Sequence, residues 1–152
     1  MKKDLVFQII ICLLILLFVY TAVSKLADYN NFLFVLRQTD ELRPFAAILS
    51  IALPLVEIVV AVLLIIPSTR HKGLYTSLIL MSVFTIYVAY VNFLASHRPC
   101  ACGGVLKGLK WRQHLIFNII FTLIALAGIW LNKTLHQQDN VPLQANLEVS
   151  GK

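Results

Sequence analysis

Cys100 and Cys102 are separated by a single alanine in a segment that also carries His97, Arg98 and Lys107. A disulfide between cysteines this close in sequence needs a sharply bent backbone and closes a small, strained ring. A strained disulfide is readily reduced, so it suits disulfide exchange better than a structural role. Neighbouring positive charge favours the thiolate, which is the reactive form of cysteine. We therefore predict that Cys100 and Cys102 are a catalytic thiol–disulfide pair, supported by His97 and Arg98.

A metal site is the first alternative for this cysteine pair, because thiolate and imidazole groups bind copper and zinc. Cys100 and Cys102, together with His97 or His114, would supply the ligands. Zinc-binding cysteines are usually separated by about two to four residues, whereas one residue separates this pair. We therefore assign no metal to the site. An inert loop or a static disulfide is the second alternative.

The composition shows which elements must position these cysteines. Of the 152 residues, 59% are hydrophobic and 13% are charged, whereas soluble domains carry about 25% charged residues. A helix needs about 20 apolar residues to cross the bilayer, and four segments are long enough: 5–24, 44–66, 73–96 and 112–132. The sequence predicts an all-α integral membrane four-helix bundle over 1–136, followed by a polar, disordered tail over 137–152.

The first apolar segment could also be a cleaved signal peptide, because Lys2 and Lys3 precede it. Its apolar run exceeds the usual length of about 7 to 15 residues, so we expect a retained transmembrane helix. Cys12 lies within this helix, and we expect it to be an ordinary buried thiol.

The excess of positive charge has a local explanation. Thirteen Lys and Arg residues stand against seven Asp and Glu residues, but they lie between the apolar runs, as expected of helix flanks that contact lipid headgroups. We therefore expect the lipid bilayer, and not nucleic acid, as the partner of this charge. Lys2, Lys3 and the Arg70–Lys72 turn favour cytoplasmic termini, which places the Cys100 loop on the outer side of the membrane.

Glu57 lies near the middle of the second apolar segment, where an ionised carboxylate is costly. We expect it to be protonated or paired inside the bundle. Helical periodicity gives each of the last three segments one polar or small face. These faces carry Ser50, Pro54, Glu57 and Ala61; Ser82, Thr85, Ala89, Asn92 and Ser96; and His114, Asn118, Thr122, Ala125 and Gly128.

Helix packing alone would explain most of these small and polar residues, because they allow helices to approach closely and to form hydrogen bonds. A polar pocket beneath the cysteine loop is the functional alternative. Its candidate residues are Glu57, Asn92, His114 and Asn118, and a quinone is its candidate ligand. The sequence specifies no other cofactor.

Three short motifs stand out along the chain: Phe18–Leu26, Leu53–Glu57 and Cys100–Gly103, followed by Trp111, Arg112 and Asn118. In these motifs the chain resembles the MauE branch of the DoxX-like membrane proteins, over roughly residues 5–131. The resemblance implies a four-helix inner-membrane protein that helps to mature methylamine dehydrogenase by forming disulfides in the periplasm. It also implies that the cysteines are the redox pair, and that Tyr20, Lys25 and Glu57 are family-typical positions without an assigned role. Gly103 departs from the pattern, because family loops commonly carry an aromatic residue there.

The resulting hypothesis is a redox accessory protein, acting as a thiol–disulfide oxidoreductase with a thioredoxin-like or other periplasmic redox partner. Three alternatives stay open. The chain could be a non-catalytic assembly or electron-transfer subunit of a membrane complex, a copper-handling protein, or a small transporter that uses Glu57 as its proton site.

Overall fold

The chain folds into five helices in the computed structural model, which describes residues 2–38, 42–93 and 111–150. They are α1 (Lys2–Ala27), α2 (Tyr29–Gln38), α3 (Ala46–Ile65), α4 (Arg70–Phe93) and α5 (Trp111–Ser150). All except α2 are long and apolar enough to cross a membrane, over the spans Lys3–Ala27, Arg43–Ile65, Pro67–Tyr90 and Arg112–Thr134. The predicted all-α, four-span membrane architecture is confirmed.

The four long helices share one apolar core. The buried face of α1 follows the spacing of three and four residues that a helix requires, through Phe7, Ile11, Leu14 and Phe18. This face packs against α3 and α5, which contribute Val60, Ala61, Leu64, Ala125 and Ile129. Large apolar side chains also cover the outside of the bundle, as expected of a surface solvated by lipid; they include Leu16, Ile48, Ile86 and Trp130.

A tight turn joins α3 to α4. Thr69 Oγ1 donates a hydrogen bond to the carbonyl oxygen of Leu63 at 2.9 Å, and Arg70 Nε donates to that of Leu64 at 3.2 Å. Gly73 then lies so close to α3 that an added Cβ would be 3.0 Å from backbone atoms of Leu63 and Leu64. This end of the α3–α4 hairpin is therefore fixed by side chain to backbone bonds and by a close backbone approach.

Helix α2 was not predicted from the sequence. It is amphipathic, and its buried residues Phe32, Val35 and Leu36 follow the i, i+3, i+4 pattern of one helical face. Phe32 and Leu36 pack near Ala46 at the start of α3, with Leu49 at the edge of the same cluster. The segment is too short to cross a bilayer, so a search for apolar runs passes over it, although the spacing of Phe32, Val35 and Leu36 was a usable signal.

Two other details differ from the sequence expectations. Cys12, expected to be buried, is exposed on the outer face of α1, because the buried face of that helix runs through Ile11 and Leu14. Helix α5 continues to Ser150, and so passes through the stretch 137–150 that was expected to be disordered. The residues that follow the apolar span, such as Leu135 and Gln137, have good helix propensity. The domain boundary at residue 136 stays a prediction.

Candidate functional site

A buried ion pair joins α1 to α3. Lys25 Nζ lies 2.5 Å from Glu57 Oε1, and the side chains are 15% and 1% exposed. Burying one unpaired charge would be costly, so each charge offsets much of the desolvation cost of the other. Of the two states expected for Glu57, the structure therefore shows the paired one. The pairing corrects the interpretation of Lys25 as a flanking residue at the membrane surface.

The sequence of each helix explains why these two side chains meet. In α1, Lys25 comes two helical turns after the buried Phe18, so it continues the buried face of that helix. In α3, the predicted polar face is confirmed, because Ser50, Pro54 and Glu57 are all buried. Lys25 is therefore the last member of the inward face of α1, which was the sequence signal for its role.

Ser50 anchors the end of this face that lies nearest to α2. Its hydroxyl donates a hydrogen bond to the carbonyl oxygen of Ala47 at 2.8 Å and lies 3.1 Å from the hydroxyl of Tyr29. Pro54 has no N–H group to bond the carbonyl of Ser50. These contacts place the start of α2 against α3, one turn of helix from the proline.

Two buried polar atoms are without a hydrogen-bond partner in the described part of the chain: Glu57 Oε2 and Asn118 Nδ2. The Asn118 side chain is only 6% exposed. An unsatisfied buried polar group costs about 1–3 kcal/mol, and native proteins contain few of them. Such atoms in a native fold therefore point to a binding group, and Asn118 lies at a cavity wall.

The cavity has a volume of about 250 Å³ and lies between all five helices. Lys25, His114 and Asn118 are among its polar lining residues, and His114 is half-buried. Apolar and aromatic side chains form most of the wall: Phe32, Val35, Leu36, Leu42, Leu49, Leu53, Val83, Phe84, Tyr87 and Val88. The structure thus brings Lys25, His114 and Asn118 together at one end of the bundle, with Glu57 behind Lys25.

Two aromatic rings hold the ammonium group of Lys25 at this wall. Its Nζ lies 5.9 Å from the ring centroid of Phe32 and 5.6 Å from that of Phe84. A cation at this distance from an aromatic ring gains about 0.5–1 kcal/mol at exposed sites and more when it is desolvated. Helix α2, which supplies Phe32, therefore helps to position the charged group of the cavity.

The polar faces predicted for the third and fourth apolar segments meet between α4 and α5. The hydroxyl oxygens of Thr85 and Thr122 are 3.1 Å apart. Each is also within hydrogen-bond distance of a carbonyl oxygen of its own helix, Met81 at 2.7 Å and Asn118 at 2.8 Å. This contact ties α5 to α4 one turn below the side chain of Asn118.

The other predicted site residues fall into two groups. Tyr20 is 53% exposed on the outside of α1 and does not line the cavity. His97, Arg98, Cys100 and Cys102, together with the side chain of Asn92, lie outside the described residues.

The cysteine segment lies between two described helices in the sequence. It joins Phe93, the end of α4, to Trp111, the start of α5. Tyr87, in the last part of α4, and His114, in the first turn of α5, both line the cavity. The two described helix ends that flank the segment therefore lie at the end of the bundle that contains the cavity. Within the described ranges, His, Cys, Asp and Glu side chains form no group of three that could hold a metal ion.

Comparison with known proteins gives two matches and one negative result. The family model described as methylamine utilisation protein MauE matches residues 3–131. The methylamine utilization protein MauE of Paracoccus denitrificans is 33% identical over 119 residues, which cover 75% of this chain and 63% of that protein. The chain therefore spans less than two thirds of the length of this relative. No solved structure matches the chain.

Proposed function

Because this chain belongs to the family of the methylamine utilisation protein MauE, we propose that it is a membrane accessory protein that exchanges disulfides with a periplasmic redox protein. The pathway suggested by the name of its relative is methylamine utilisation. In this proposal Cys100 and Cys102 react, and the four membrane-spanning helices hold them at one surface. His97 and Arg98 favour their thiolate forms.

The proposed exchange transfers one disulfide. A thiolate of the partner attacks the Cys100–Cys102 disulfide, which breaks the S–S bond and forms a mixed disulfide. The second thiolate of the partner then attacks the mixed disulfide. The partner gains one disulfide, while Cys100 and Cys102 gain two electrons and two protons as a dithiol. A thioredoxin-like protein or a maturing enzyme with paired cysteines fits this role.

One observation carries the proposal. The Cys-x-Cys segment connects α4 and α5, and both helices form walls of the cavity at which Lys25, His114 and Asn118 meet. A membrane bundle held together only by apolar packing has no need for a buried ion pair at this end, since desolvating the charges costs free energy. A Cys-x-Cys pair in the connection between two helices whose polar side chains converge on one cavity supports a functional site over a simple connection.

For location, we propose a bacterial inner membrane with both termini in the cytoplasm and the cysteine segment in the periplasm. The basic residues at the N-terminus and in the Arg70–Lys72 turn support this orientation. A periplasmic position also suits the chemistry, because disulfides persist in that oxidising compartment. A membrane-impermeant maleimide added to intact spheroplasts should label the reduced cysteine pair, and labelling only after lysis would contradict the orientation.

Thiol trapping tests the exchange itself. Cells grown under oxidising and reducing conditions are quenched with acid and alkylated with a mass-tagged maleimide, in a Cys12→Ser background so that only the pair reports. We expect the pair to shift from disulfide to dithiol between the two conditions. In addition, either single variant, Cys100→Ser or Cys102→Ser, should retain a reactive thiol that traps a mixed disulfide with the partner.

Two results would contradict this function. The first is a cysteine pair that stays in one redox state under both conditions. The second is full growth on the pathway substrate when Cys100→Ser and Cys102→Ser are combined. Either result would favour a non-catalytic assembly subunit, in which contacts such as that between Thr85 and Thr122 only hold the helices together.

A further inference from the structure

Two hydrogen-bond donor groups stand at the cavity wall, the side-chain amide of Asn118 and the ammonium group of Lys25. Asn118 Nδ2 is buried and has no partner in the described part of the chain. The ammonium group of Lys25 carries three N–H donors, and Glu57 Oε1 accepts one of them. The ligand that suits this end of the cavity therefore carries an acceptor oxygen.

The charge of the cavity wall favours a neutral ligand. Lys25 is already balanced by Glu57 at 2.5 Å, so an anion such as a phosphate headgroup would meet a pair with no net charge. A cation would meet the ammonium group at the wall. An uncharged carbonyl oxygen can accept a hydrogen bond here without adding a charge to a site of low dielectric constant.

The size and the lining of the cavity define the rest of the ligand. A volume of about 250 Å³ lies just below the range of about 300–1,000 Å³ that drug-sized ligands occupy. It holds a substituted ring and excludes a dinucleotide or a porphyrin. The wall is mostly apolar, and Phe32, Phe84 and Tyr87 offer aromatic surfaces to a flat ring.

We propose that this cavity binds the headgroup of a lipid-soluble quinone. One ring carbonyl accepts a hydrogen bond from Asn118 Nδ2, and the ammonium group of Lys25 stands at the same wall. The flat ring lies among the aromatic side chains, and the apolar tail leaves the cavity towards the lipid. The arrangement differs from the site expected from the sequence, because Lys25 lines the cavity whereas Glu57 acts through Lys25.

The bound quinone would also serve as the oxidant of the cysteine pair. This step alone rests on the thiol–disulfide function proposed above. Oxidation of the Cys100 and Cys102 dithiol breaks two S–H bonds and forms one S–S bond. Two electrons and two protons pass to the two ring oxygens, which gives the quinol. The atoms and electrons balance without a further reactant.

The test measures binding of decylubiquinone to the full chain in detergent or lipid nanodiscs. n-Decylbenzene serves as the matched probe, because it has a decyl tail on a six-membered ring but no ring oxygens. We expect saturable binding of decylubiquinone and none of decylbenzene. Asn118→Leu keeps the approximate volume and removes the donor, so it should weaken quinone binding about tenfold, the value of one hydrogen bond.

Two further variants separate binding from folding. Val83→Phe adds volume at a lining residue that is also exposed to lipid, and should abolish binding while the protein stays monodisperse. Thr122→Val changes α5 one turn away from Asn118 and outside the cavity lining, and should leave the affinity unchanged. Equal binding of the two probes, or an Asn118→Leu affinity within twofold of that of the unchanged protein, would overturn the proposal.

The cysteines separate the two proposals. The combined variant Cys100→Ser and Cys102→Ser should bind decylubiquinone normally, because the proposed contacts to the ring come from Asn118 and the aromatic side chains of the wall. Loss of quinone binding with intact thiol exchange would overturn the quinone site alone. Intact quinone binding with a cysteine pair fixed in one redox state would overturn the exchange function alone.

Discussion

Replacing one member of the Lys25–Glu57 pair tests the central contact between α1 and α3. Lys25→Met keeps the length of the side chain and removes its charge, which leaves the carboxylate of Glu57 buried and unpaired. Glu57→Gln keeps the shape of the acidic side chain and leaves the ammonium group of Lys25 unpaired. The double variant removes both charges.

The two single variants should lose different amounts of folding free energy, because the side chains of Lys25 and Glu57 differ in burial. Glu57 is 1% exposed and its short side chain has no route to the membrane surface, so Lys25→Met should cost the full penalty of a broken buried pair, about 3–5 kcal/mol. Lys25 is 15% exposed and lies two residues before the end of α1. Its long side chain can turn towards the interface, so Glu57→Gln should cost only about 1–2 kcal/mol.

Thermal unfolding in a mild detergent measures these differences. At about 2–4 °C per kcal/mol for a chain of this size, Lys25→Met should lower the Tm by about 6–20 °C and Glu57→Gln by about 2–8 °C. The double variant should be more stable than Lys25→Met, because no unpaired charge remains. Ser77→Ala is the matched control, since it removes one buried hydroxyl that donates to the carbonyl oxygen of Gly73. It should cost about 1 kcal/mol.

Salt provides a second check on the same pair. Dissolved ions screen a buried pair only weakly. Lys25→Met should therefore destabilise the protein by nearly the same amount in dilute buffer and at about 1 M salt. Two single variants that each cost less than about 1 kcal/mol, with additive effects in the double variant, would contradict a stabilising pair between Lys25 and Glu57. Additivity would mean that the two side chains do not interact in the folded protein.

Two smaller changes test the packing of the helices. Gly73→Ala should destabilise the protein by about 1–3 kcal/mol in thermal unfolding. Gly128→Ala should cost less, because an added Cβ meets backbone atoms at Gly73 but only side-chain methyl groups at Gly128. An equal cost of the two substitutions would contradict this. Thr85→Val and Thr122→Val should show a coupling energy of about 0.6 kcal/mol in a double-mutant cycle, a typical value for a hydrogen bond between membrane helices. A coupling energy of zero would mean that the two hydroxyl groups do not interact in the folded protein.

The four-span architecture could be predicted from the sequence because the hydrophobic pattern of each span is long and contains many residues. Each membrane span is an apolar run of about 20 residues, and a few polar residues do not hide it. The inward faces were also accessible, since Ser50, Pro54 and Glu57 keep helical spacing and are buried together. His114 and Asn118 share one helical face in the same way, and both line the cavity.

The partner of Glu57 was harder to predict, because Lys25 lies where a basic residue usually marks the end of a span. Only its spacing from Phe18 distinguishes an inward lysine from a flanking one. Helix α2 was missed for a similar reason, since its apolar face of Phe32, Val35 and Leu36 is short and lies between two spans. The role of the cysteine pair stays a prediction, because Cys100 and Cys102 lie outside the described residues.

The ion pair also has a consequence for how the protein enters the membrane. Glu57 follows Lys25 by 32 residues, so during synthesis the helix with the cation is complete before the helix with the anion emerges. Inserting a lone charged residue at the centre of a helix costs about 2.5–3.5 kcal/mol, and a neighbouring helix that already holds the opposite charge reduces that cost. We therefore expect α1 and α3 to associate at the translocon first and to form the surface on which α4 and α5 assemble.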